Sequence, residues 1–150
     1  MVELLQHSLN GYAYASLDEL DAERFERLQR ASGDTQREFC QVFGPEHILP
    51  NVGEFLGYFM IRKVMASRTL LRAAGTVTKR LAAWLAEQGY VEAEAAELAK
   101  ERGAEAARGL PKADDLATRL QTLADGWANP DADEHLEDHF QITRVEPGEI

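Results

Sequence analysis

Apolar positions recur at the helical period along most of this chain and are densest from Asn51 to Tyr90. Asn51, with Glu54 three residues on, predicts a helix start, because a side-chain oxygen can accept an orphan backbone N–H while the carboxylate reaches back. This first helix is expected to run to about Met65, with Val52, Phe55, Leu56, Phe59, Met60, Ile61 and Val64 covering most of the cylinder. A helix apolar on so many sides packs against several neighbours, so it is the expected central element. Ser67 then caps a second helix. Its Leu70, Ala74, Val77, Leu81, Trp84 and Leu85 fall on one arc at the 3.6-residue period and are expected to face the core. Gly89 closes it.

Upstream, Val2, Leu4, Leu5 and Leu9 predict a short helix or extended arm ended by Asn10-Gly11, and the alternation of Tyr12 to Ala15 suggests a short strand. Ser16 and Glu19 form a capping-box pair. Leu17, Leu20, Phe25 and Leu28 are then expected along one side of a helix to about Arg30. Ser32-Gly33-Asp34 breaks the pattern and recaps a helix through Phe39, Val42 and Phe43, which Gly44-Pro45 ends. Downstream, Val91 to Arg108 is an alanine-rich helix, and the small side chains permit close approach of a neighbour. Gly109-Leu110-Pro111 is expected to stop that helix and start another. Leu116, Leu120, Leu123 and Trp127 make this last one amphipathic as far as Asn129-Pro130. Asp131 to Asp138 is strongly acidic, and His139 to Glu146 has the β-branched and aromatic content of a strand.

These elements predict a mainly α fold, a five- or six-helix orthogonal or irregular bundle with a short C-terminal strand. Residues 1–130 are expected to form a single helical domain. The segment 131–150 is expected to be an acidic stretch plus a strand, with the start of a truncated further domain as the alternative. With 150 residues, 45% of them hydrophobic, such a domain can bury a core without staples. The single Cys40 excludes an internal disulfide and is expected to be a small buried apolar side chain. No stretch approaches the roughly 18 consecutive apolar residues of a membrane span, and no secretory signal opens the chain, so a cytoplasmic protein with no membrane partner is expected.

Charge is distributed unevenly. From Phe55 to Ala86 there is no acidic residue, but there are Arg62, Lys63, Arg68, Arg72, Lys79 and Arg80, a charge of +6 in a chain of net charge -10, which leaves -16 elsewhere. At about 100° per residue, Arg68, Arg72, Gly75, Thr76 and Lys79 share an arc opposite the Leu and Trp face. Such a stripe suits phosphates, with Gly75 allowing close approach and Thr76 offering a hydroxyl. It equally suits a solvated face that answers the chain's own acidic helices through surface pairs worth about 0–1 kcal/mol each.

Within this stretch, Phe55-Leu56 and Tyr58, then Thr69-Leu70 and Ala73, then Leu81, Trp84, Leu85 and Gly89 follow a pattern that resembles the N-terminal core-binding (SAM-like) domain of tyrosine recombinases and phage integrases. The likeness covers residues of about 51–90. It implies a helical bundle that clamps DNA through backbone contacts, with Arg68, Arg72 and Lys79 in that role. No His-x-x-Arg motif and no nucleophilic tyrosine segment accompany it, so recombinase chemistry is not expected of this chain.

His135 and His139, four apart among acidic residues, are weak candidate ligands for zinc or another divalent ion, but HLEDH matches neither HExxH nor HxxEH. No serine stands in a nucleophile elbow, and there is no glycine-rich phosphate loop. The chain is therefore expected to be a non-enzymatic helical interaction module without a cofactor, binding a protein partner or itself, as a homodimer. The alternative is a DNA-associated domain that contacts phosphates through Arg62, Lys63, Arg68, Arg72, Thr76, Lys79 and Arg80. Metal or small-molecule binding is a third possibility.

Overall fold

The computed structural model describes residues 1–127, in which six helices and no strand are found. The Asn129-Pro130 stop, the acidic segment, the strand over 139–146 and the pair His135 and His139 lie outside the described residues. The helices are α1 (Val2–Tyr12), α2 (Glu19–Gln29), α3 (Phe39–Val42), α4 (52–62), α5 (Arg68–Glu87) and α6 (Ala93–Trp127). They divide into a unit of Met1–Ala117 and a second that begins at Thr118 with the last turns of α6. None of the described helices is long and apolar enough to cross a membrane.

The helix over 52–62 is central, as its pattern predicts. Val52 packs with Leu49, Ala82, Leu85, Ala96 and Ala99. Phe55, Leu56, Phe59 and Met60 pack with Leu71 and Ala74 in a second cluster. A third cluster, Leu9, Ala13, Phe25 and Phe39, joins α1, α2 and α3. Burying each of these larger side chains contributes about 1.5–3 kcal/mol.

The middle of α4, Phe55–Phe59, is a π-turn in which the Met60 N–H bonds to the Phe55 carbonyl. Phe55 and Phe59 stack at its two ends, with ring centroids 6.2 Å apart. The helix is shorter and less enclosed than its composition suggests. It ends at Arg62, Ile61 is 48% exposed, and Met65 on the following turn is wholly exposed.

Several local expectations are corrected by competing bonds. Asn51 does not cap α4. It is buried, and its amide donates to Ser16 Oγ at 2.9 Å and to the His47 carbonyl at 2.8 Å. Ser16, thus engaged, leaves the cap of α2 to Asp18, whose Oδ1 accepts the Asp21 N–H at 2.9 Å. Asn10-Gly11 continues α1 instead of ending it. The Asn10 side chain reaches across the chain, where its Oδ1 accepts the Cys40 N–H at 2.9 Å and its amide donates to Glu38.

Tyr12 to Ala15 is not a strand. Tyr12 ends α1, and Ala13–Ser16 is a 3₁₀ turn that buries Ala13. Leu20 is 79% exposed, because at 100° per residue it lies about 140° from Phe25, the buried residue of α2.

The predicted break at Gly109-Leu110-Pro111 is not made, and α6 runs unbroken through Pro111. Proline there lacks the donor for the Ala107 carbonyl and crowds it, at a cost of about 3 kcal/mol. That cost is opposed by burial, since Leu110 packs on the Phe55 and Met60 cluster and Pro111 itself is buried.

Candidate interaction surfaces

The start of α5 is set locally, as its sequence predicts. Ser67 Oγ accepts the Leu70 N–H at 3.3 Å, and Gly89 follows the last turn at φ +72°, a conformation that costs glycine no Cβ clash.

The buried face of this helix shares only Ala74 and Leu85 with the predicted one. Leu71, Ala74, Gly75, Thr78, Ala82 and Leu85 are buried, an arc rotated by roughly 90° from the expected Leu and Trp face. Leu70, Val77 and Leu81 are half-buried. Trp84, expected in the core, is 49% exposed and lies against Tyr90 with ring centroids 5.9 Å apart.

The rotation follows from how α5 meets α6. A Cβ placed on Gly75 would fall 2.8 Å from Ala107 Cα and still closer to Ala107 N and the Gly103 carbonyl oxygen. A Cβ on Gly103 would meet the Gly75 carbonyl oxygen at 2.7 Å and Lys79 N at 2.9 Å. The two backbones therefore touch, and only the small-residue side of α5 permits that contact. Gly75 serves a helix crossing, which corrects its expected place on a phosphate-binding stripe.

Around this crossing the structure sorts the basic residues. Arg68, Arg72, Thr76 and Lys79 do share one exposed edge of α5, with Arg80 further round. Arg68 Nη2 is 2.8 Å from Asp115 Oδ2 of α6. The Thr76 hydroxyl donates to the Arg72 carbonyl at 3.0 Å, so its proton is already used within the helix. Arg72, Lys79 and Arg80 make no ion pair among the described residues.

Arg62 ends α4, and Lys63 follows it with its ammonium 5.6 Å from the centre of the Tyr58 ring. The Tyr58 phenol, and then Tyr12, raise the Lys63 pKa above the ordinary lysine value.

An apolar surface that the pattern did not predict lies where α4 turns into α5. Met60, Ile61, Val64, Met65, Leu71 and Leu110 line an open groove of about 440 Å3, with Ala113 and Asp114 at its α6 side. Its floor, Met60 and Leu71, is buried, while Ile61 and Met65 face solvent. The unbroken run Phe59-Met60-Ile61 was the available signal. Three consecutive apolar residues exceed what one face of a helix can bury, so one of them is left outside.

Cys40 is exposed, which corrects its expected burial. Partial burial of the sulfur, followed by the nearby Glu38 carboxylate, still pushes its pKa above the ordinary thiol value. Among the described residues no three His, Cys, Asp or Glu side chains are placed to hold a metal ion.

No family model, curated protein or solved structure matches the chain. Of the residues that carry the likeness to recombinase core-binding domains, Phe55, Leu56 and Leu85 are core, and Tyr58 and Trp84 are 38% and 49% exposed.

Proposed function

We propose that this protein is a non-enzymatic helical interaction module whose α4–α5 groove receives an apolar helix of a protein partner. The observation that carries this reading is the pair of large apolar side chains, Ile61 and Met65, left in solvent at the rim of a groove with a buried apolar floor. Exposed apolar surface with a polar surround is what helix-in-groove recognition uses. Asp114 in the groove lining and the ion pair of Arg68 with the neighbouring Asp115 supply that surround.

A second reading is favoured by a different observation, the exposed Arg72 and Lys79 on one edge of α5, which make no ion pair among the described residues. These would track phosphates of duplex DNA, in line with the resemblance to recombinase core-binding domains.

One experiment separates the two. The purified chain is compared with an Ile61→Glu, Met65→Glu variant and an Arg72→Glu, Lys79→Glu variant for capture of a protein from its own cells and for binding of a labelled random duplex. Both variants alter exposed positions, and circular dichroism checks that they keep their helix content. A protein captured by the parent and by the Arg72, Lys79 variant, but lost with the groove variant, supports the first reading. Capture that survives the groove variant overturns it. Duplex binding abolished only in the Arg72, Lys79 variant supports the second.

A further inference from the structure

Asparagine is among the chemically labile residues, and of the three in this chain only Asn10 is followed by a glycine. Asn51 precedes the β-branched Val52, and Asn129 precedes Pro130, which has no N–H. Gly11 stands in the last turn of α1, beside its end at Tyr12. Neither packing nor backbone conformation calls for a glycine there. Nothing lies within 4 Å of a Cβ built on Gly11, and the positive-φ glycines among the described residues are Gly33 and Gly89. A glycine inside a helix weakens it, so this last turn opens more readily than an alanine would allow. It also leaves the backbone nitrogen after Asn10 without a side chain to shield it.

The Asn10 side chain is at the same time the clasp between α1 and α3. Its Oδ1 accepts the Cys40 N–H at 2.9 Å, and its amide donates to the Glu38 carboxylate. Glu38 in turn forms the capping box of α3 with Gln41, whose Oε1 accepts the Glu38 N–H at 2.8 Å. With four residues α3 is too short to hold as a helix by itself, so it depends on Phe39 in the third cluster and on these bonds. While the clasp is closed, the Asn10 amide is held toward α3 and Gly11 is held in the helix, so the two cannot meet.

We propose that Asn10 is a self-modification site, a deamidation gated by opening of the last turn of α1 that turns the α1–α3 clasp into a pair of opposed carboxylates. Once the turn opens, the Gly11 nitrogen forms a bond to Asn10 Cγ and gives its proton to water. The bond from Cγ to Nδ2 breaks, and the nitrogen takes up a proton and leaves as ammonia. Water then adds to either carbonyl of the five-membered imide and opens the ring, leaving aspartate or isoaspartate. In both products a carboxylate oxygen replaces the donor that faced Glu38. Isoaspartate also carries an extra carbon in the main chain, which breaks the helical ladder of α1 at this point. The new charge joins Glu3 and Glu38 around one open groove, with His7 the basic side chain of that lining. Like charges there oppose re-closure, and the lost ammonia makes the change one-way. The site is separate from the α4–α5 groove and holds whether or not that groove takes a partner.

The site is tested by holding the full chain at mildly alkaline pH and reading its digests at intervals by peptide mass spectrometry, beside Gly11→Ala and Glu38→Ala variants. Conversion at Asn10 but not at Asn51 is expected, several-fold faster in Glu38→Ala and suppressed in Gly11→Ala. The consequence is read in Asn10→Asp and in the double variant Asn10→Asp, Glu38→Gln, in which the second change supplies the amide donor from the other side. Asn10→Asp is expected to lower the folded-to-unfolded ratio in urea about tenfold, the scale of one hydrogen bond to a charged group, and to speed labelling of Cys40 by iodoacetamide. The double variant is expected to restore both.

An Asn10 that keeps its amide as long as Asn51 does, or that is not lost faster in Glu38→Ala, overturns the gated site. An Asn10→Asp chain that unfolds and labels like the parent overturns the conversion of the clasp. Should Asn10→Asp not fold at all, the double variant decides, since failure of Glu38→Gln to restore the fold overturns the opposed pair as the cause.

Discussion

Gly75 and Gly103 do more to define this molecule than any charged residue on the same helices. Because each would drive a Cβ into the facing backbone, Gly75→Ala is expected to cost about 1–3 kcal/mol through overpacking, measured by urea unfolding. Had Gly75 stood on an open phosphate-binding stripe, the same change would instead have raised helix propensity and stabilised the chain by up to about 1 kcal/mol. The sign of this one measurement thus tests the crossing. Asn10 and Asn51 illustrate the same scale differently. Both belong to a residue type suited to local turns and caps, and both are used for bonds across 30 or more positions of sequence, to Cys40 and Ser16. A side-chain amide can satisfy either role, and nothing within a few residues of it distinguishes them.

Among the elements, α5 separates what local chemistry sets from what a neighbour sets. Its start at Ser67 and its stop at Gly89 are legible because cap and left-handed glycine act over three or four residues. Its buried face is not, because ranking by side-chain size selects the Leu and Trp arc while packing selects the smallest side. Trp84→Ala is therefore expected to cost well under the 3–5 kcal/mol typical of a buried aromatic, with the loss in thermal or urea unfolding confined to about 1 kcal/mol. A loss of core size would restore the predicted face. In α6, Pro111 shows a tertiary preference overriding a local one. Burial of Leu110 and Pro111 holds a helix together through a residue that interrupts its ladder.

For the whole molecule, the uneven charge and the apolar surfaces are the features that bear on function. The +6 over 55–86 against -16 elsewhere is partly spent inside the chain, since Arg68 is paired with Asp115 and Lys63 lies over Tyr58. Of the four left, Arg62, Arg72, Lys79 and Arg80, only Arg72 and Lys79 lie on the exposed edge of α5; if duplex DNA is bound there they would neutralise two phosphates, and log affinity against log salt is expected to fall with a slope of about -1.8 in a filter or anisotropy titration. A slope near zero would assign these residues to a solvated face. The helical class, the central place of 52–62, the caps of α5 and the amphipathic spacing of 116–127 were determined by the sequence itself. Each depends on periodicity or on bonds between residues a few positions apart. Only the tertiary structure decided which face of α5 is buried, that α6 passes through Pro111, and that Ile61 and Met65 stay in solvent. These are properties of two backbones in contact, and no single segment of the chain contains them.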